Sequence, residues 1–334
     1  MHYYGIDVHK KFCAFTCMDD AGRVLRRGKV ANTAETLAQM VAPSGGDAMA
    51  VLETTGNWSY IYDTLEPWVA KVLLAHALRV KAIASAKVKT DRIDADTLAH
   101  LLRADLIPQA YVPPPEVREL RDWLRSRAAV VRMSTQLKNR AHALLARNGL
   151  TSPYADLFCQ GGREWLQQVE LRPMHRRIID RYLAILDALQ ADTRAVTAEI
   201  TRQAKADPRA KLLMSIPGIG PLTALLFLAE VGDLRRFSTA AQLVSFAGLA
   251  PRVRSSAGRV HMGPITKQGS AWLRWTFNEA AVRIGRTDGR LGEFYRNVQA
   301  RHGKQTAATA LARKLLTIAY FVLKAERPFD ERMG

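Results

Sequence analysis

Over the first hundred residues the apolar positions come in short bursts, and beyond about residue 115 they settle into a long helical rhythm. Segments 2–8, 12–18 and 23–30 have strand length and strand composition, with the turn sequence Asp19-Asp20-Ala21-Gly22 between the last two. Two further apolar runs, Ala48-Met49-Ala50-Val51-Leu52-Glu53 and Lys71-Val72-Leu73-Leu74-Ala75, also read as strands. Helices are predicted from the cap at Asn32-Thr33-Ala34-Glu35, over 58–66, near Leu78–Ser85, and from Lys89-Thr90-Asp91 onward. Three meandering strands followed by alternating β and α elements predict a mixed sheet with helices on its faces.

Pro113-Pro114-Pro115 is the clearest boundary in the chain. After it, residues 116–147 carry Val117, Leu120, Leu124, Val131, Leu137 and Leu144 at helical spacing. A break at Asn148–Pro153 and Gly161-Gly162 precedes a second long helix over 174–206. Two long Arg-rich helices predict an antiparallel hairpin or coiled coil that serves packing, assembly and nucleic-acid support. Asp207-Pro208 marks the next boundary. Beyond it, Leu212-Leu213-Met214-Ser215-Ile216-Pro217-Gly218-Ile219-Gly220 resembles a helix-hairpin-helix turn, in which Gly218 and Gly220 let backbone N–H groups meet a phosphate. Helices over 240–247, 270–285 and 305–324 close a mostly α segment, with an irregular basic loop between the first two. The expected organisation is therefore 1–112, a helical connector 113–206, and a C-terminal domain 207–334.

Charge sharpens this division. The chain of 334 residues has a net charge of +18, distributed as +1 over 1–110, +6 over 111–206 and +11 over 207–334. A cationic excess that rises along the chain favours a polyanion as partner, bound with counterion release. No apolar stretch reads as a membrane span and no basic leader precedes an apolar core, so neither membrane nor export is expected. Cys13, Cys17 and Cys159 lack zinc-site spacing and cannot all pair, which suits a reduced, cytoplasmic protein.

Four acids stand where phosphodiester chemistry would need them. Asp7 ends the first strand, Glu53 ends the fourth, and Asp91 and Asp94 open a helix. Residues three apart lie about 60° apart around a helix, so Asp91 and Asp94 share a face, while Asp96 lies about 140° from Asp91. Acids at strand ends, joined by two on one helix face, suit Mg²⁺ or Mn²⁺. An acid ending an apolar strand needs a cation or a hydrogen-bonding partner, which makes Asp7 the most telling of the four. The order of elements is that of an RNase H-like α/β domain, whose metal acids sit at strand ends near the centre of the sheet.

The loop from Pro251 to Gly269 adds Arg252, Arg254, Arg259 and Lys267, the adjacent Ser255 and Ser256, and three glycines. On spacing alone a serine there is a turn residue or a phosphate donor. It becomes a nucleophile only where something takes its proton.

Read together, six markers carry a resemblance over nearly the whole chain. They are Gly5-Ile6-Asp7-Val8, Glu53-Thr54-Thr55-Gly56, Lys89-Thr90-Asp91-Arg92-Ile93-Asp94-Ala95, Ile216-Pro217-Gly218-Ile219-Gly220, Gly248-Leu249-Ala250-Pro251 and Thr266-Lys267-Gln268-Gly269. In this order the chain resembles the DEDD transposases of insertion sequences, the one-ten family related to the Piv DNA invertase. The resemblance implies a RuvC-like domain in which Asp7, Glu53, Asp91 and Asp94 bind divalent metal, and a C-terminal domain whose serine attacks DNA. That serine falls on Ser256, with Ser255 the alternative, because Ala257 stands where the family usually has glycine. It further implies DNA as donor and target, a structured guide RNA from the element's ends, and a homo-oligomer from dimer to tetramer in a bacterial, nucleoid-associated setting. Its active sites would pair one protomer's acids with another's serine. Two rival readings fit the same residues: a junction-resolving nuclease in which water attacks, and a binding protein whose acids are vestigial.

Overall fold

The computed structural model describes residues 1–54, 56–84, 90–256, 259–330 and 332, with the backbone alone at 254–256, 259 and 260. The chain divides at Pro113/Pro114 into two compact units.

The first unit is built on a five-stranded sheet. Its elements are β1 (His2–Val8), β2 (Phe12–Met18), β3 (Val24–Ala31), α1 (Ala34–Val41), β4 (Ala48–Glu53), α2 (Trp58–Leu65), β5 (Lys71–Ala75), α3 (Ala77–Ile83) and α4 (Asp91–Arg103). The strand order is β3-β2-β1-β4-β5; β1 runs antiparallel to β2 and parallel to β4. Tyr4, Ile6 and Leu52 on one face pack with Leu37 and Met40 of α1 and with Ile61 and Leu65 of α2. Val51, Leu73 and Ala75 on the other pack with Val80 of α3 and with Leu98, Leu101 and Leu102 of α4. The mixed α/β sheet expected for this region is present, with boundaries close to those the apolar runs predict.

The alternation of faces decides where the acids go. Ile6 pairs with Leu52 across the parallel β1/β4 ladder, and both enter the α1/α2 side of the core. The next residue on each strand, Asp7 and Glu53, therefore projects to the α4 side, at adjacent carboxyl ends. Helix α4 comes unusually close there because Gly5 has no side chain: a Cβ at Gly5 would lie 2.1 Å from the Ala95 carbonyl oxygen and 2.3 Å from the Ala99 nitrogen. Asp96 fastens the same helix to β2 and β3. It accepts Thr16 Oγ1 at 2.6 Å and both Arg27 Nε at 2.9 Å and Nη2 at 2.8 Å.

The second unit is mostly helical, as expected. It comprises α5 (Pro115–Ala146), α6 (Gln160–Gln168), α7 (Pro173–Ala206), α8 (Pro208–Met214), α9 (Pro221–Val231), α10 (Ala240–Phe246), β6 (Pro251–Ser256), β7 (Arg259–Ile265), α11 (Ala271–Ile284), α12 (Arg290–His302) and α13 (Lys304–Lys324). Helices α5 and α7 pack along each other, and α9 and α13 form the centre of one large core with Leu124 of α5 and Ile200 of α7.

Three expectations need correction. The break at Gly161-Gly162 is instead α6, because Cys159 Sγ accepts from Gly162 N at 3.4 Å as a cap and Leu166 is buried. The basic loop is an antiparallel hairpin of β6 and β7, with Ser255 opposite Val260 and Ser256 opposite Arg259. Its described side chains Arg252, Val253, His261 and Met262 are exposed, so no buried face imposes the period-two pattern that marks a strand. Lastly, α13 is long and apolar enough to cross a membrane by length and composition, contrary to the sequence reading. Ala307, Leu311, Leu315, Ala319 and Val322 build it into the second unit's core.

Candidate active site

At the carboxyl end of β1 three potential ligand atoms gather. Asp7, His9 and Asp91 each offer one, all within 4.8 Å of one another. His9 Nε2 lies 3.0 Å from Asp7 Oδ2 and 3.3 Å from Asp91 Oδ1. That nitrogen is buried and lacks hydrogen-bond geometry to a protein acceptor, so it approaches both carboxylates without settling on either.

Several contacts hold the imidazole there. Its ring stacks on Phe12, centroids 4.5 Å apart, across the turn in which His9 N donates to the Phe12 carbonyl. The His9 carbonyl accepts Asn32 Nδ2 at 2.8 Å and Asn57 Nδ2 at 3.2 Å. On the far side, Lys29 of β3 donates to Asp91 Oδ2 at 2.7 Å, its ammonium 4.7 Å from the centre of the Phe12 ring. Thr90 Oγ1 caps α4 by accepting from Ile93 N, which starts the helix at Asp91.

The two carboxylates differ electrostatically. Burial raises the pKa of the Asp7 carboxyl, nearby Asp94 and Asp91 raise it further, and His9 works the other way. The hydrogen bond from Lys29 lowers the pKa of Asp91, with His9 adding to the effect. Crowded acids that include a partly buried one, beside an imidazole nitrogen without a hydrogen-bond partner, are the setting a divalent cation relieves. Two carboxylate oxygens and one imidazole nitrogen make a donor set that a divalent cation can use.

Of the four acids singled out in the sequence, Asp7 and Asp91 come together. Asp94 bears on Asp7 through charge, and Glu53 stands beside Asp7 at the end of the neighbouring strand; neither belongs to the close-set group. His9 was missed. The signal was available, since the strand alternation that aims Asp7 carries on to the residue two places later.

In the second unit, Arg252 and Lys267 are exposed near the ends of the hairpin. The side chains of Arg254, Ser255, Ser256 and Arg259 lie outside the described residues, as do Ala257 and Gly258 between the strands. Gly218 and Gly220 stand between α8 and α9. Gly218 has φ +78°, and a Cβ there would press on Ile284 at 2.6 Å. Gly220 precedes α9 with φ −93° and open space around it, so packing does not require glycine at that position.

Residues 4–148 match the DEDD transposase model of IS110 elements, described as "Transposase", and residues 210–296 match "Transposase IS116/IS110/IS902 family". A probable family 20 transposase of Pseudomonas aeruginosa is 30% identical over 76% of this chain and 79% of its own length. The transposase for insertion sequence element IS1111A of Coxiella burnetii is 26% identical over 97% of this chain and 90% of its own. A pilin gene-inverting protein of Moraxella bovis is 39% identical over 37% of this chain and 40% of its own length. The chain belongs to the IS110/IS116/IS902 family of insertion-sequence transposases, enzymes of DNA strand transfer.

Proposed function

We propose that this transposase moves its own element by cutting and rejoining DNA through a serine nucleophile, assisted by a metal site in the first unit. The observation that carries this reading is the gathering of Asp7, His9 and Asp91 where β1 ends and α4 begins. The strand order and the adjacent carboxyl ends of β1 and β4 support an RNase H-like, RuvC-like domain over 1–112. Residues 113–206 then act as the helical, coiled-coil connector, and 207–334 as the domain that carries the serine hairpin and a helix-hairpin-helix-like turn.

In this reading Asp7, Glu53, Asp91 and Asp94 hold Mg²⁺ or Mn²⁺, with His9 as a further ligand or neighbour. A divalent cation bound there supplies stabilisation of charge developing on the phosphate. Ser256, or Ser255, supplies the hydroxyl. Its oxygen gives up its proton to solvent and bonds to phosphorus, the bond from phosphorus to one deoxyribose oxygen breaks, and that leaving oxygen takes up a proton. The phosphodiester is thus stored as a phosphoserine link, and reversal on a second strand end rejoins DNA without ATP. Arg252, Arg254, Arg259 and Lys267 bind backbone phosphates, together with the amides at Gly218 and Gly220. A structured guide RNA selects the sites, and a dimer or tetramer brings acids and serine to one phosphodiester.

The test is a covalent adduct on a denaturing gel, formed with element-end DNA and Mg²⁺. The S256A and D7N variants are expected to lose it while retaining DNA binding. Cleavage without any adduct would establish water as the attacking group and overturn the serine reading. An adduct that survives S256A and disappears in S255A would move the nucleophile by one residue.

A further inference from the structure

A cleft of about 1010 Å³ opens inside the second unit, between α5, α7, the first turn of α9 and α11. It lies outside the acidic site and is lined by none of the serine-hairpin residues. Arg127 and Arg132 of α5 and Arg283 of α11 border it, against a single acid, Glu279. Trp272 and Trp275 form its aromatic wall, edge to face with centroids 5.9 Å apart. The Arg132 guanidinium lies 5.2 Å from the Trp272 ring centre, so that ring already has a cation upon it. Trp275 is 41% exposed, a large indole surface in a cleft that Arg127, Arg132 and Arg283 also line. Arg127 is anchored by donating to Thr197 Oγ1 at 2.9 Å, and burial lowers its pKa, a penalty on the charged form that an anion would relieve.

We propose that this cleft receives an unpaired DNA nucleotide, its base stacked on Trp275 and its phosphate held by Arg132 and Arg283. Two kinds of group are placed together here, an exposed indole and an excess of guanidinium, and a nucleotide carries the complement to both. Sequence-tolerant stacking of bases on aromatic rings beside a cationic track is how single strands are generally held. The volume accommodates a nucleoside and its phosphate. An apolar helix from a second copy would cover Trp275 and leave the guanidinium groups without an anion, which argues against that occupant. The choice of DNA rests on the reading above, because exchanging strands exposes unpaired nucleotides at the crossover.

The experiment is a titration of the full-length chain with a labelled twelve-nucleotide homothymidine strand, in EDTA so that no cleavage intervenes. W275A is expected to weaken binding about tenfold or more, W275F about threefold or less, and R283Q to flatten the salt dependence by roughly 0.7 in logarithmic slope. Unchanged melting of all three variants shows that the fold is intact, which the exposure of Trp275 favours. Equal affinity of W275A and the natural chain overturns the proposal. So does stronger Trp275-dependent binding of the homouridine ribonucleotide strand, which would assign the cleft to RNA. A change in sedimented mass of W275A with affinity kept would assign it to a second copy and overturn the proposal equally. Because the titration needs no metal, an absent phosphoserine adduct with Trp275-dependent binding intact removes the catalytic reading alone, and the converse result removes the cleft alone.

Discussion

Lys29 Nζ lies 2.7 Å from Asp91 Oδ2, so an ammonium group from the edge strand rests on a carboxylate whose other oxygen lies 3.3 Å from His9. Lysine and a divalent cation would compete for that carboxylate, and in this arrangement the lysine already holds one of its oxygens. K29M is therefore expected to tighten Mn²⁺ binding by roughly three- to tenfold at low ionic strength, with the gain shrinking as salt is added. Calorimetric titration of the D7N and K29M variants beside the natural chain checks it; unchanged Mn²⁺ affinity in K29M would show that Lys29 leaves Asp91 when metal arrives.

His9 makes a second prediction. With its ring stacked on Phe12 and its carbonyl pinned by two asparagines, it is fixed before any metal binds. H9A is expected to lose about ten- to a hundredfold in Mn²⁺ affinity, the range typical of groups that support a metal site. A loss under twofold would reduce His9 to a bystander between two acids.

Gly5 and Gly220 form a contrasting pair. An alanine at 5 would drive its Cβ into the backbone of α4, so G5A is expected to cost about 1–3 kcal/mol and to lower metal affinity by shifting Asp91. G220A meets nothing within 4 Å in an ordinary backbone region, and its melting is expected to stay within about 0.5 kcal/mol of the natural chain. Urea denaturation of both variants measures the difference directly. Equal stabilities would mean that α4 is free to move off the sheet.

Inside the second unit the Glu230 carboxylate is nearly buried. It accepts Arg125 Nη2 at 2.6 Å and Ser270 Oγ at 3.0 Å, tying α9 to α5 and to the cap of α11. R125M leaves that carboxylate without its cation and is expected to destabilise by about 3 kcal/mol or more. Replacing both partners, as R125M/E230L, should recover most of the loss, since the cost lies in the stranded charge. A double-mutant cycle in guanidinium chloride reads both values, and simple additivity of the two substitutions would argue against a coupled pair.

Thiol chemistry supplies a fourth check on the first unit. Burial pushes the Cys13 thiol up to about 12, with the Asp7 charge adding to it, and Cys17 on the same strand is also buried, whereas Cys159 is exposed. A thiol reagent at neutral pH should label one cysteine of the folded chain quickly and all three after denaturation. Rapid labelling of Cys13 would mean that β1 and β2 separate in solution.

Much of this fold was legible from pattern alone, for a physical reason that can be named residue by residue. Strands β1, β2, β4 and β5 are buried on one or both faces, so Ile6, Leu52 and Leu74 had to be apolar and their runs stood out. The long helices α5 and α7 announce themselves through repeated apolar positions and through the prolines that start them. Where burial imposes no pattern, legibility failed. The β6/β7 hairpin exposes most of its described side chains, and α12, whose buried positions are few, went unread between the helices on either side.

The sequence by itself determined that acids would end apolar strands, that a helix would open on Asp91 and Asp94, and that positive charge would accumulate toward the C-terminus. Each depends only on local propensity, spacing or composition, which are written along the chain. Tertiary structure alone decided that His9 stands between Asp7 and Asp91, that Lys29 takes hold of Asp91, and that Trp275 shares a cleft with Arg132 and Arg283. Those neighbours are set by strand register, by the closeness that Gly5 allows α4, and by the way α5 and α11 line one cleft, and all three arise only when separated segments pack.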